Sequence, residues 1–109
     1  MTFTVQAEAP PLRPCADGSI RVGQSRVLLE LVIHAFQDGA TPEQIAQRFP
    51  SLQLSDVYAV VAFYLRHANQ TNRYLAVREK KAAQIAKRSN GDLRKIREKL
   101  HSRRHAQEV

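Results

Sequence analysis

The stretch TPEQIAQRFPSLQLSDVYAVVAFYLRH, residues 41–67, admits little besides a short helix, a tight turn and a longer, more apolar helix. Pro42 lacks a backbone N–H and holds its φ fixed, which suits the first helical position, and Pro50 stops a helix begun there. Thr41 is placed to cap that helix, and Gln44 stands three residues on, the spacing of a capping box. Between the prolines, Ile45, Ala46 and Phe49 share one face. After the turn, Leu54 precedes a second candidate cap at Ser55, and the run from Val57 to Leu65 holds no charged residue. Helices are expected over 42–49 and 56–68, in the outline of a helix-turn-helix.

Ahead of this pair, PLRPCADGSIRVG reads as a small hairpin turning at Asp17-Gly18, with Pro11 and Pro14 confining the first strand to an edge. A helix over 27–37 follows, with Leu28, Leu31, Val32, Ala35 and Phe36 spaced as a buried face, and Asp38-Gly39 closes it. Behind the pair, NQTN at 69–72 reads as a polar break. A helix over 73–89 carries a thin apolar stripe of Leu75, Ala82, Ile85 and Ala86. Asn90-Gly91 is a stop signal, and Asp92 a cap for a fifth helix bearing Leu93, Ile96 and Leu100. The first ten residues are a leader without periodicity.

Charge divides the chain in the same place as composition does. Residues 1–72 hold five Lys and Arg against six acids, a net −1, whereas residues 73–109 hold twelve against four, a net +8. Two parts with different tasks follow: a core over 11–72 and a basic helical extension over 73–109. The single Cys15 excludes an internal disulfide, and MTFTVQAEAPPL has neither the basic start nor the apolar run of a secretory signal. No apolar run approaches the ~18 residues of a spanning helix. A cytoplasmic protein without a membrane partner is the expectation.

At about 100° per residue, Val57, Val60, Val61, Tyr64, Leu65 and Ala68 make a buried arc. Ser55, Ala59, Ala62, Phe63 and Arg66 lie opposite. Base edges are read by forked or paired donors and acceptors, so Gln53, Ser55, Arg66 and the nearby Arg48 are the candidate DNA contacts. Asp56 has the wrong charge for phosphate, although it favours the helix N-terminus. The small Ala59 and Ala62 surface beside Phe63 equally suits a second helix.

The basic extension admits a solvated helix, a phosphate surface or a segment that docks on an acidic partner. It has no aromatic residue beyond Tyr74, which disfavours stacking on single strands. Its apolar positions would be wasted on phosphate alone, so Leu93, Arg94, Ile96, Arg97, Leu100 and Arg103 are the candidate partner contacts. His101 and His105 have ligand spacing but no acid or Cys close by to complete a site, and no metal is expected. Cys15 has no local His, and the four glycines fall at turns or caps rather than in a phosphate loop. No catalytic residue, no cofactor and no enzyme activity are expected.

The segment DGSIRVGQSRVLLELVIHAFQDGATPEQIAQRFPSLQLSDVYAVVAFYLRH resembles domain-of-unknown-function family 433. The resemblance covers about residues 11–78, in the order DG-I-VG, DG-TPE-I and FPSL-L-DVYA-V-YL. It departs at Gln24, where Gly is common, and does not extend past Asn90-Gly91. It implies a homeodomain-like or winged helix-turn-helix three-helix core, so the expected fold is mainly α, with the short N-terminal β-hairpin and the basic C-terminal helical extension that the residues themselves indicate. It also implies a homodimer similar to VapB-type antitoxins, partnered by a PIN-like ribonuclease toxin, with operator DNA as a further candidate partner. A stand-alone DNA-binding regulator and an interaction module without nucleic acid remain the alternatives.

Overall fold

The computed structural model describes residues 2–107, apart from the side chains of Ser89, Asp92, Leu93, Ile96, Glu98, Lys99 and those from Leu100 onward. The chain is mainly helical with one small antiparallel sheet. In order it forms β1 (Leu12–Pro14), β2 (Ile20–Val22), α1 (Leu29–Gln37), α2 (Pro42–Arg48), α3 (Leu54–Arg66) and α4 (Ala68–Gln107). It divides into two compact units, residues 1–72 and 73–109.

The hairpin pairs Leu12 with Val22, Arg13 with Arg21 and Pro14 with Ile20. Its turn is closed by Asp17, whose Oδ1 accepts from the Ser19 N–H at 3.0 Å and the Ser19 hydroxyl at 2.6 Å. Gly18 takes φ 85°, which an L side chain resists. A two-stranded sheet is marginal alone. Here β2 buries Val22 completely and continues through a turn at Gly23–Arg26, where the Ser25 hydroxyl donates to the Val22 carbonyl at 2.6 Å.

α1 begins two residues later than expected, and its buried face is rotated. Leu28 is its extended N-cap, bridged to Arg21, while Leu29, Val32, Ile33 and Ala35 are buried and Leu31 is 45% exposed. Leu28-Leu31-Val32 and Leu29-Val32-Ile33 both have the spacing of a helical face. The bridge to β2 decides between them, because it withholds Leu28 from the helix.

α2 forms as its caps dictate. The Gln44 N–H donates to Thr41 Oγ1 at 3.2 Å, and the Thr41 N–H to Gln44 Oε1 at 2.9 Å. Ile45 is fully buried. α3 starts earlier than Ser55 predicts: Gln53 is the N-cap, without a side-chain cap bond, and Ser55 lies in the first turn. Leu52 ahead of it is 7% exposed. Burying a Leu is worth about 1.5–3 kcal/mol and a cap about 1, so the position of Leu52 sets where the helix begins.

The break at 69–72 and the fifth helix are both absent. The chain turns instead at His67, and NQTN is the first turn of α4, where the Thr71 hydroxyl returns to the His67 carbonyl at 2.9 Å. Asn90-Gly91 lies inside α4. A helical Gly costs about 1 kcal/mol relative to Ala. Ending one helix and starting another would strand up to four N–H and four C=O groups and require a new nucleus. With good helix formers such as Ala86, Lys87, Arg94 and Lys95 on both sides, continuity is cheaper.

Replacing Thr41 with Ala removes one half of the capping box. It should cost about 1 kcal/mol, a fall of about 4–8 °C in Tm for a unit of this size, read by a circular dichroism melt. An unchanged Tm would show that α2 is held by packing alone.

Candidate functional site

The first unit presents three surfaces with chemistry on them: a cleft under the hairpin, a small recess at the end of α2, and the outer face of α3. The cleft, about 630 Å³, lies between the hairpin, the turn ahead of α3 and its first residues, lined by Pro11, Arg13, Ser25, Gln53 and Asp56 among others. Arg13 is tied across it, its Nη2 donating to the Ser25 carbonyl at 2.8 Å. Asp56 turns toward the hairpin rather than outward. A Cβ on Gly23, which holds φ 57°, would stand 2.7 Å from Asp56 Oδ2. Gly23 is the glycine that both its backbone angle and a neighbouring carboxylate require.

The four residues expected to contact DNA are all exposed, but they do not converge. Gln53 lines the hairpin cleft, whereas Arg48 lines the other recess, with Asp38, Gln44 and Gln47. Ser55 and Arg66 share one side of α3, at its two ends, about 16 Å apart along the axis. Neither of these two cavities is lined by more than one of the four.

Three residues of the buried arc are corrected. Leu65 is 65% exposed, Ala68 is half-buried and begins α4, and Tyr64 is half-buried with its ring edge-on to Phe36 at 6.1 Å between centroids. Phe63 is half-buried and lies against the His67 ring at 4.5 Å. With Leu54 at 42% and Tyr58 at 48%, Leu65 makes an apolar stripe on α3 at i, i+4 and i+11. Of the expected small surface, Ala62 is exposed and Ala59 half-buried.

Tyr58 also carries the clearest electrostatic feature of the unit. Its hydroxyl donates to Glu43 Oε1 and links α3 to α2. That bond holds the Glu43 carboxyl below its ordinary pKa and pushes the Tyr58 hydroxyl up. Neither this link nor the Gly23–Asp56 approach has a sequence signal, because each joins residues far apart in the chain. A glycine after a strand is the nearest hint of the second.

In the second unit Leu75 is buried, while Val77 and Ile85 are 64% and 58% exposed. The expected stripe residues Ala82 and Ala86 are exposed as well. Arg94 and Arg97 are exposed. The side chains of Leu93, Ile96, Leu100 and Arg103 fall outside the described ones, as do those of His101 and His105. Among the described residues no three His, Cys, Asp or Glu come together as a metal site, and no helix is long and apolar enough to cross a membrane. Cys15 is half-buried with its thiol 3.6 Å from the Arg13 carbonyl.

A family model described as "Protein of unknown function (DUF433)" matches residues 15–64, from the hairpin to the last turn of α3. No curated protein and no solved structure matches the chain.

Two substitutions test this geometry. Tyr58→Phe should let the Glu43 pKa rise toward its usual value, read by a carbon NMR titration of the carboxyl. The folded-state depression stabilises the protein above the unfolded pKa and is lost as pH falls through the folded one, so the variant should also show a weaker acid dependence of Tm. A Glu43 titration that does not move would refute the link. Gly23→Ala should cost about 1–2 kcal/mol from its positive φ, and adding Asp56→Ala should recover only the contact part. Full recovery in the double variant would show that backbone strain is not the cause.

Proposed function

We propose that this protein, whose residues 15–64 match the DUF433 family model, is a non-enzymatic, antitoxin-like regulator. One observation carries the reading. A near-neutral helical unit with an exposed apolar stripe is followed by a 40-residue helix, and residues 73–109 hold a net +8. The first part is built to associate and the second to meet negative charge.

In this reading α2 and α3 act as a homeodomain-like or winged helix-turn-helix pair, and the stripe of Leu54, Tyr58 and Leu65 joins two copies into a homodimer. Stripes of this kind on a monomer commonly mark interaction sites. Gln53, Ser55, Arg66 and Arg48 are the contacts offered to operator DNA. The far end of α4 masks a PIN-like ribonuclease toxin. Such nucleases hold metal with clustered carboxylates, which Arg94, Arg97 and Arg103 can pair with as forked donors while Leu93, Ile96 and Leu100 dock on an apolar rim.

Removing residues 90–109 tests this directly. The shortened protein should keep the melt of its first unit and its dimeric sedimentation, yet lose co-purification with the toxin encoded beside it and protection from that toxin. Protection retained by the shortened protein overturns the reading. The competing reading is a stand-alone DNA-binding regulator, and it is favoured by the same basic helix. It would show tight, salt-sensitive DNA binding without any toxin partner.

A further inference from the structure

α4 carries its charge in register. Arg73, Lys80, Lys87 and Arg94 recur at seven-residue intervals, and all four are exposed. On a continuous helix each interval advances about 10.5 Å and drifts only about 20°. The four cations therefore form one nearly straight row about 32 Å long. Lys81, Arg88 and Lys95, each one residue on, make a second row about 100° around the helix. Of the acids along this length, Glu79 lies about 100° from Lys80 and Asp92 about 160° from Arg94 around the helix, and Glu98 falls just beyond its end. Arg73, Lys80 and Lys87 already lie on the helix expected over 73–89, and Arg94 joins their row because α4 does not break at Asn90-Gly91.

A second feature on the same face points to the ligand. Gly91 sits in the helix interior, where Gly is disfavoured, and a Cβ built on it meets no atom within 4 Å among the described residues. Nothing described inside the protein needs the glycine. Beside it lies an open recess of about 460 Å³, lined by Lys87, Asn90, Gly91, Arg94 and Arg97. Three cations and an amide around a notch suit an anion with several oxygens that approaches the backbone closely.

We propose that this face of α4 is a binding surface for the phosphate backbone of double-stranded nucleic acid, with one phosphate seated in the Gly91 notch. The row is about the length of one duplex turn, ~34 Å. Between its anchors the face carries Ala76, Ala83, Gln84 and Asn90, with Val77 its one larger apolar side chain and no aromatic, whereas a protein interface core or single-strand stacking would need more. The inference deepens the operator-binding part of the function above. It moves the phosphate contacts from α3 to α4, and it shares only Arg94 and Arg97 with the toxin contact.

The test is fluorescence anisotropy of the full chain with a labelled duplex at rising salt. Four neutralised phosphates give a log–log slope near −3.6, an affinity loss of about 10²-fold between 50 and 200 mM salt. The triple variant Arg73→Gln, Lys80→Gln, Lys87→Gln should flatten the slope to about −0.9 with its helicity retained, since Gln is a good helix former. Toxin protection should survive this variant, which separates its failure from failure of the antitoxin reading. Gly91→Ala should raise helicity and thermal stability yet weaken duplex binding several-fold, a pairing that a merely structural glycine would not produce. Unchanged binding by the triple variant overturns the proposal, as does equal binding to polyglutamate or phosphatidylserine vesicles. Unchanged binding by Gly91→Ala overturns the notch.

Discussion

The first unit depends on the burial of one aliphatic ridge. Val57 and Val60 are fully buried on α3 and Val61 nearly so, and both α1 and α2 pack on that helix. Leu29, Val32 and Ile33 from α1, Ile45 from α2 and Val22 from β2 complete the core. Each such side chain is worth about 1.5–3 kcal/mol when removed from water, so a handful of them has to offset the ordering of the whole unit. All three ridge residues are valines. Short, β-branched side chains fill the interior of α3, and its longer apolar residues, Leu54, Tyr58 and Leu65, are left to face outward.

That arrangement explains why the polar links of the unit fall where they do. α3 must be held at a set angle to its neighbours for the ridge to stay covered. Tyr58 reaches Glu43 on α2, and Gln37 on α1 donates to the Tyr64 hydroxyl at 3.1 Å. At the other end Asp56 comes against Gly23 of the hairpin. The hairpin is in turn fastened by Arg13 to the Ser25 carbonyl. These contacts join elements the core has already brought together, and each uses a side chain that period and charge alone would leave in solvent.

α4 follows a different rule. Its formation rests on local propensity and on the avoidance of interrupted hydrogen bonds, so its charged positions fall in helical register over their whole length. A break at Gly91 would have taken Arg94 out of line with Arg73, Lys80 and Lys87. Continuity turns a basic composition into a directed surface, and the function we assign to the chain depends on that difference.

Features that the sequence determined by itself are those in which cause and effect lie within one turn. The capping box of Thr41 and Gln44, the first position of Pro42, the Asp17-Gly18 hairpin and the change of charge after Asn72 are all of this kind. Tertiary structure decided the rest. It chose the phase of α1 by taking Leu28 into a bridge, began α3 at Leu54 because Leu52 is buried, and left Leu31 and Leu65 exposed. The expected DNA contacts were legible as residue types, yet their separation into two cavities and two ends of a helix was not. Period and composition state which residues can share a face. Only the packing of one element on another selects which face is used, because the choice is made by contacts between residues tens of positions apart.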